Sequence, residues 1–70
     1  SFEFTNYDVY LVELLAKGWR QQEIEDHFKT NNIKPDSRSS IEKRLSELRE
    51  SLSAKNNTEM VVLCKDLGII

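Results

Sequence analysis

The clearest hydrophobic pattern in the chain lies in its second half. Four apolar residues recur there at intervals of four, three and four positions: Ile41, Leu45, Leu48 and Leu52. At about 100° per residue this spacing places them in one narrow stripe along a helix, which we predict to span residues 39–51. The opposite side of that helix carries Ser39, Lys43, Ser46 and Glu50. We therefore expect the stripe to be buried and the polar side to face outward.

Two further helices are predicted before this one. The first covers residues 6–17, because the pair Thr5 and Asp8 has the spacing of a capping box and Gly18 is a typical residue just past a helix end. The second follows almost at once and ends near Thr30. Its inward residues recur at helical spacing, so both helices should pack against the stripe.

The loop between the second and third helices is polar except for Ile33, which we expect to reach the core. The start of the third helix has two readings. Ser39 and Glu42 have the spacing of a capping box. Asp36 or Ser37 could instead cap a start one turn earlier.

A fourth helix is predicted over residues 57–67, ending at Gly68, with Asn56 and Glu59 as its capping box. The residues expected on its inward side are Met60, Val61, Cys64 and Leu67. Val62 and Leu63 are left over outside or at the edge of that side, which favours a partner surface there. No strand pattern is visible, so the fold class is an all-α, four-helix domain of the helix-turn-helix type, with a tight pair of second and third helices and a fourth supporting or dimerisation helix.

Composition narrows the possible functions. The chain of 70 residues is 39% hydrophobic and 31% charged, which suits one soluble domain over residues 1–70, and we expect this domain to belong to a longer protein. Cys64 and His27 are the only cysteine and histidine, so a disulfide or a four-ligand zinc site is excluded. No nucleophile and base occur at a catalytic spacing, so we expect no enzyme, no cofactor and no small-molecule substrate. A reducing cytoplasm fits best, and no membrane span or signal peptide is visible.

The charge of the chain is unevenly distributed. Net charge is −2 overall, which argues mildly against a nucleic-acid partner. Residues 1–32 carry three basic and six acidic side chains, residues 33–57 six and four, and residues 58–70 one and two. The positive middle segment coincides with the predicted third helix and its flanks. A contact of this helix with phosphates would require positive charge there.

The order and spacing of several short segments resemble one known family. These segments are residues 14–18 (LLAKG), 23–24 (EI), 40–41 (SI), Leu52, 56–61 (NNTEMV) and 68–70 (GII). Together they are similar to the LuxR-type (GerE-type) DNA-binding domain, whose pattern reads LLAxG, xEIA, TV, a leucine eleven residues further, NRTEAV and GLI. The similarity covers nearly the whole chain.

The resemblance implies a cytoplasmic bacterial transcription factor domain, often the output half of a response regulator, that binds double-stranded DNA as a homodimer. Its third helix would enter the major groove and its fourth would contribute to the dimer. By position, the base-contacting residues would be Glu42, Lys43 and Ser46. Ser40 would touch the DNA backbone, and the further residues expected at the phosphates are Arg38, Ser39, Arg44, Arg49 and Lys55. Val62 and Leu63 would lie in the dimer interface.

The chain departs from the family pattern in four places. Glu42 stands where the family usually has Lys, and Arg44 replaces the family's frequent His. The turn before the third helix is longer by about six residues, and Arg20 replaces the Ser or Thr that normally caps the second helix. The acidic pI, Glu42 and the apolar excess of the fourth helix leave a second interpretation open. In that interpretation the helix-turn-helix scaffold serves as a protein interaction module.

Overall fold

The computed structural model describes residues 2–70, so Ser1 lies outside the described residues. They form four α-helices and no strand: α1 (Asn6–Ala16), α2 (Gln21–Thr30), α3 (Arg38–Leu52) and α4 (Asn57–Asp66). The all-α, four-helix architecture is therefore confirmed, and each predicted helix agrees with the observed one to within a residue at either end.

A single core lies between the four helices. α1 packs against α2 and α4, and α3 packs against the same two helices. The stripe of α3 is buried at Ile41, Leu45 and Leu48, as predicted, and Leu52 is partly buried at its end. The buried hydrophobic residues contributed by the other three helices are Leu11, Val12, Leu14, Ile24, Phe28, Met60 and Cys64.

The start of α1 has the predicted capping box. The backbone N–H of Asp8 donates to Thr5 Oγ1 (3.2 Å), and the backbone N–H of Thr5 donates to Asp8 Oδ2 (2.9 Å). The end of this helix also follows the prediction, because Gly18 adopts a left-handed conformation (φ 89°) that residues with a Cβ rarely accept.

The start of α3 corrects one prediction. Ser39 and Glu42 do not form a capping box; Ser37 caps the helix, its Oγ accepting the backbone N–H of Ser40 at 3.2 Å. The earlier of the two possible starts is the real one. Arg38 and Ser39 are consequently helical residues, and Glu42 is free to point elsewhere.

The capping of α4 differs from the prediction in one bond. Asn56 Oδ1 accepts the backbone N–H of Glu59 (2.8 Å), as expected. The Glu59 carboxylate returns to the backbone N–H of Lys55 (2.7 Å), one residue before Asn56.

The loop of residues 31–37 is held closely against the helices. Ile33 packs on the core as predicted, and its backbone N–H donates to the Phe28 carbonyl (2.8 Å). The Tyr7 hydroxyl donates to the Pro35 carbonyl (2.7 Å), across 28 positions of sequence. These contacts fix the loop to both α1 and α2, so it has a defined shape on the surface.

None of the helices within residues 2–70 is long and apolar enough to cross a membrane.

Candidate functional site

The outward side of α3 is open to solvent. Its 15 residues correspond to a length of about 22 Å at 1.5 Å per residue. The residues exposed along that side are Ser39, Glu42, Lys43, Ser46 and Glu50. This side of α3 is therefore a solvent-exposed surface that carries hydroxyl, amine and carboxylate groups side by side.

The three residues predicted to contact bases are all exposed, but they are not equivalent. Within residues 2–70, the side chains of Lys43 and Ser46 make no hydrogen bond or ion pair, so their polar atoms remain available. Glu42 is partly engaged, because Gln21 Nε2 donates to its Oε1 over a long 3.4 Å. This contact directs the Glu42 carboxylate toward α2.

Arg38 lies at the first turn of α3 and is oriented by two side chains of α2. Its Nη2 donates to Gln22 Oε1 (2.7 Å), and its Nε lies 3.5 Å from Glu25 Oε2. The Arg38 side chain is still 63% exposed. Gln22 and Glu25 thus orient the guanidinium while most of the side chain stays exposed to solvent. A contact with a phosphate requires such exposure.

Glu25 lies beside Arg38, and the sequence did not reveal this contact. Its side chain is only 4% exposed, and it accepts a hydrogen bond from Gln21 Nε2 (3.0 Å) besides facing Arg38. A charged residue on a surface helix is ordinarily exposed. Glu25 faces Arg38 of another helix, so no local sequence signal could have revealed its burial.

The two serines predicted to contact the DNA backbone differ in exposure and in hydrogen bonding. Ser39 is exposed. Ser40 is half-buried, and its hydroxyl accepts a hydrogen bond from the Ser37 hydroxyl (2.8 Å) within the helix cap. The Ser40 hydroxyl proton remains able to donate to a ligand, although the side chain is already part of the cap.

Arg44, which was predicted to contact phosphates, is engaged with a side chain of α1. Its Nε donates to Asp8 Oδ1 (2.7 Å) and its Nη2 to Asp8 Oδ2 (2.5 Å), with Phe2 stacked over the guanidinium and Glu47 at 3.6 Å. Asp8 is fully buried. The guanidinium neutralises this carboxylate, and a contact of Arg44 with a phosphate stays a prediction.

The Asp8–Arg44 pair also shifts the pKa of both groups. Burial alone would raise the pKa of Asp8, but the hydrogen bonds from Arg44 and Thr5 outweigh it and hold that pKa below its usual value. The same hydrogen bond with Asp8 raises the pKa of Arg44. Both groups are therefore charged in the folded domain.

The remaining two predicted phosphate contacts lie toward the far end of α3. Arg49 is half-buried and its Nη1 donates to Asn57 Oδ1 (2.6 Å), which joins α3 to the start of α4. Like Arg44, it joins two helices of the fold, and its contact with a phosphate stays a prediction. Lys55 is exposed in the loop between α3 and α4, and its ammonium group makes no contact within the described residues.

The surface of α4 differs from the predicted one at Leu67. That residue was expected on the inward side, but it is the C-cap and is 64% exposed, because the helix stops at Asp66. Val62 is 51% exposed, as expected of a leftover apolar residue, and Leu63 is half-buried. A dimer interface at Val62 and Leu63 stays a prediction.

The described residues contain no group of three or more His, Cys, Asp or Glu side chains that could hold a metal ion. Cys64 is buried in the core, and burial raises the pKa of its thiol. A raised pKa keeps the thiol protonated, which is the opposite of what a nucleophile needs.

Comparisons of the chain with models of protein families, with curated proteins and with solved structures find no match.

Proposed function

We propose that this domain binds double-stranded DNA and recognises its sequence through α3, acting in the regulation of bacterial transcription in the cytoplasm. The observation that carries the proposal is the free outward side of α3, where Lys43 and Ser46 are exposed and have no partner within residues 2–70. A single α-helix fits the major groove of B-DNA, which is about 12 Å wide. The resemblance to LuxR-type domains supports the same interpretation.

The base-contacting residues in this proposal are Lys43, Ser46 and Glu42. Lys43 can donate to guanine O6 or N7, and Ser46 can donate or accept at several base edges. Glu42 can accept from cytosine N4, but its charge repels phosphates. Its bond from Gln21 would keep the carboxylate away from the groove walls.

The contacts to the DNA backbone would come from Arg38, Ser39, Ser40 and Lys55. Arg38 is the strongest of these, because Gln22 and Glu25 orient its guanidinium while most of the side chain stays exposed. Such contacts set the register of a protein on the duplex and carry no sequence information themselves. A homodimer through α4, with Val62 and Leu63 at its centre, would place two copies of α3 on paired half-sites.

The proposal is tested by selecting bound fragments of genomic DNA with the full-length protein and measuring the affinity of the selected site. Lys43→Ala should weaken binding to the selected site by about 1–3 kcal/mol while leaving random duplex little changed. Lys17→Ala, an exposed lysine at the end of α1, is the matched control and should bind as the wild type does. A selected motif with two-fold symmetry would support the dimer as well.

A protein interaction module is the second candidate. It is favoured by Glu47 and Glu50, which are exposed on α3, and by the exposed apolar side chains of Val62 and Leu67. If random genomic fragments are not retained at low salt by the full-length protein, DNA binding is wrong and this second function replaces it.

A further inference from the structure

Two lysines of the region between α2 and α3 converge on one residue. Lys29 Nζ, near the end of α2, donates to the backbone carbonyl of Asp36 (3.0 Å). Lys34 Nζ, in the loop, lies 2.6 Å from the Asp36 carboxylate. Both lysines are exposed, and the Lys34 side chain is 64% exposed whereas that of Asp36 is only 18% exposed.

The segment that carries these lysines is fixed to the body of the domain. Tyr7 holds the Pro35 carbonyl, and Ile33 is packed on the core on the other side of Lys34. Asn32 adopts a left-handed conformation (φ 54°) at the point where α2 gives way to the loop. A loop that is already ordered loses little conformational entropy when it meets a ligand.

This loop leads directly into the helix proposed to read DNA. Ser37 caps α3, and Arg38 is the first residue of that helix. Lys29 and Lys34 therefore form a basic corner beside the N-terminal end of α3, with the Asp36 carboxylate between them. Arg38 is directed away from this corner, toward Gln22 and Glu25. The nearby Glu25 is buried under Arg38, so it would not face a ligand.

We propose that this basic corner is a second DNA-contacting element, in which Lys29 and Lys34 bind phosphates of the strand that borders the groove occupied by α3. The inference rests on the proposed DNA binding and assigns a role to the loop between α2 and α3. A helix in the major groove lies between two phosphate backbones, and cations next to its N-terminal end meet one of them. The phosphate would replace the Asp36 carboxylate as the partner of Lys34, since both present oxygen acceptors to an ammonium group.

The test measures the affinity of the full-length protein for its selected site and for random duplex over a range of salt concentrations. Each phosphate contact contributes about 0.9 to the slope of log K against log salt. Lys29→Ala and Lys34→Ala should each lower the affinity for both duplexes about three- to fivefold and reduce the salt slope by about 1. Asp36→Asn should act in the opposite direction and raise both affinities about twofold, because it removes the carboxylate that competes for Lys34.

Lys17→Ala is the control, since it removes the same charge from the end of α1. If the wild type binds DNA and both loop variants keep the salt slope of Lys17→Ala, the loop does not touch DNA and this inference is wrong while the proposed function stands. If the wild type itself retains no DNA, both fall together. Thermal unfolding by circular dichroism should show the variants folded, because Lys29 and Lys34 are exposed.

Discussion

Removing Arg44 should destabilise the domain strongly, although the residue lies on the surface-facing half of α3. In the wild type its guanidinium makes two hydrogen bonds to the fully buried carboxylate of Asp8. In Arg44→Ala, the backbone N–H of Thr5 would remain as a hydrogen-bond donor to that carboxylate, but no cation would neutralise it. An uncompensated carboxylate in a protein interior is poorly solvated, so the folded state is raised in free energy.

The size of this effect can be bounded from the structure. Breaking a buried ion pair by removing one partner destabilises a protein by about 3–5 kcal/mol. The Arg44 side chain is 27% exposed, so water can enter the space it leaves, and we expect a value of about 3 kcal/mol. A domain of 70 residues has a free energy of unfolding of about 4–10 kcal/mol. The variant should therefore lose about 30% or more of its stability.

Urea unfolding followed by far-ultraviolet circular dichroism measures this loss. Lys43→Ala is the matched control, because it removes a cation from the same helix without touching Asp8, and it should lie within about 0.5 kcal/mol of the wild type. A similarly small change for Arg44→Ala would refute the reasoning.

The dependence of stability on pH gives an independent check of the same pair. The pKa of Asp8 is lower in the folded domain than in the unfolded chain, where it is about 3.9. Its contribution to stability is therefore complete above about pH 4 and is lost as the pH falls through the folded-state pKa. Asp8→Asn should remove this part of the acid sensitivity, so its stability should fall less steeply below pH 4 than that of the wild type.

Three smaller effects on the free energy of unfolding follow from the caps and the loop. Ser37→Ala should destabilise by about 1 kcal/mol, whereas Ser39→Ala should have little effect, because only Ser37 caps α3. Ser53→Gly should stabilise by about 0.5 kcal/mol, since Ser53 ends α3 in a left-handed conformation (φ 55°) that glycine adopts without strain. Tyr7→Phe removes the bond to Pro35, which should destabilise by about 0.5–1.5 kcal/mol and speed proteolysis in the loop. Urea unfolding measures all three, and a loss of stability in Ser39→Ala equal to that in Ser37→Ala would contradict the observed cap.

The helices could be predicted from the sequence because their signals are local. Thr5 and Asp8 are three residues apart, and Gly18 lies directly after the helix that it ends. Such caps depend on the backbone of one turn, so the rest of the fold need not be known. The buried stripe of α3 is equally local, since four apolar residues at helical spacing can only be hidden by packing that side inward.

The polar interior could not be predicted, because it joins residues far apart in sequence. Asp8 and Arg44 are separated by 36 positions, and each looks like an ordinary helical charge when its own helix is considered alone. Glu25 and Arg38 belong to different helices for the same reason. Even the choice between Ser37 and Ser39 as the cap depends on where the loop ends, and the contact of Tyr7 with Pro35 helps to fix that.

The distribution of charge along α3 limits how the helix could lie in a duplex. Arg38, which faces Glu25, and Lys43, which has no partner within residues 2–70, place positive charge in its first half. The positive end of the helix dipole lies there too. Glu47 and Glu50 are exposed in the second half and would be repelled by phosphates. In the proposed complex the helix would therefore enter the groove with its N-terminal end, which is also the end bordered by the basic corner. The net charge of the chain is −2, and few of its cations are free of acidic partners. One copy would therefore bind a DNA duplex only weakly. Two copies held together through α4 would make the second contact intramolecular and raise the affinity without any new residue.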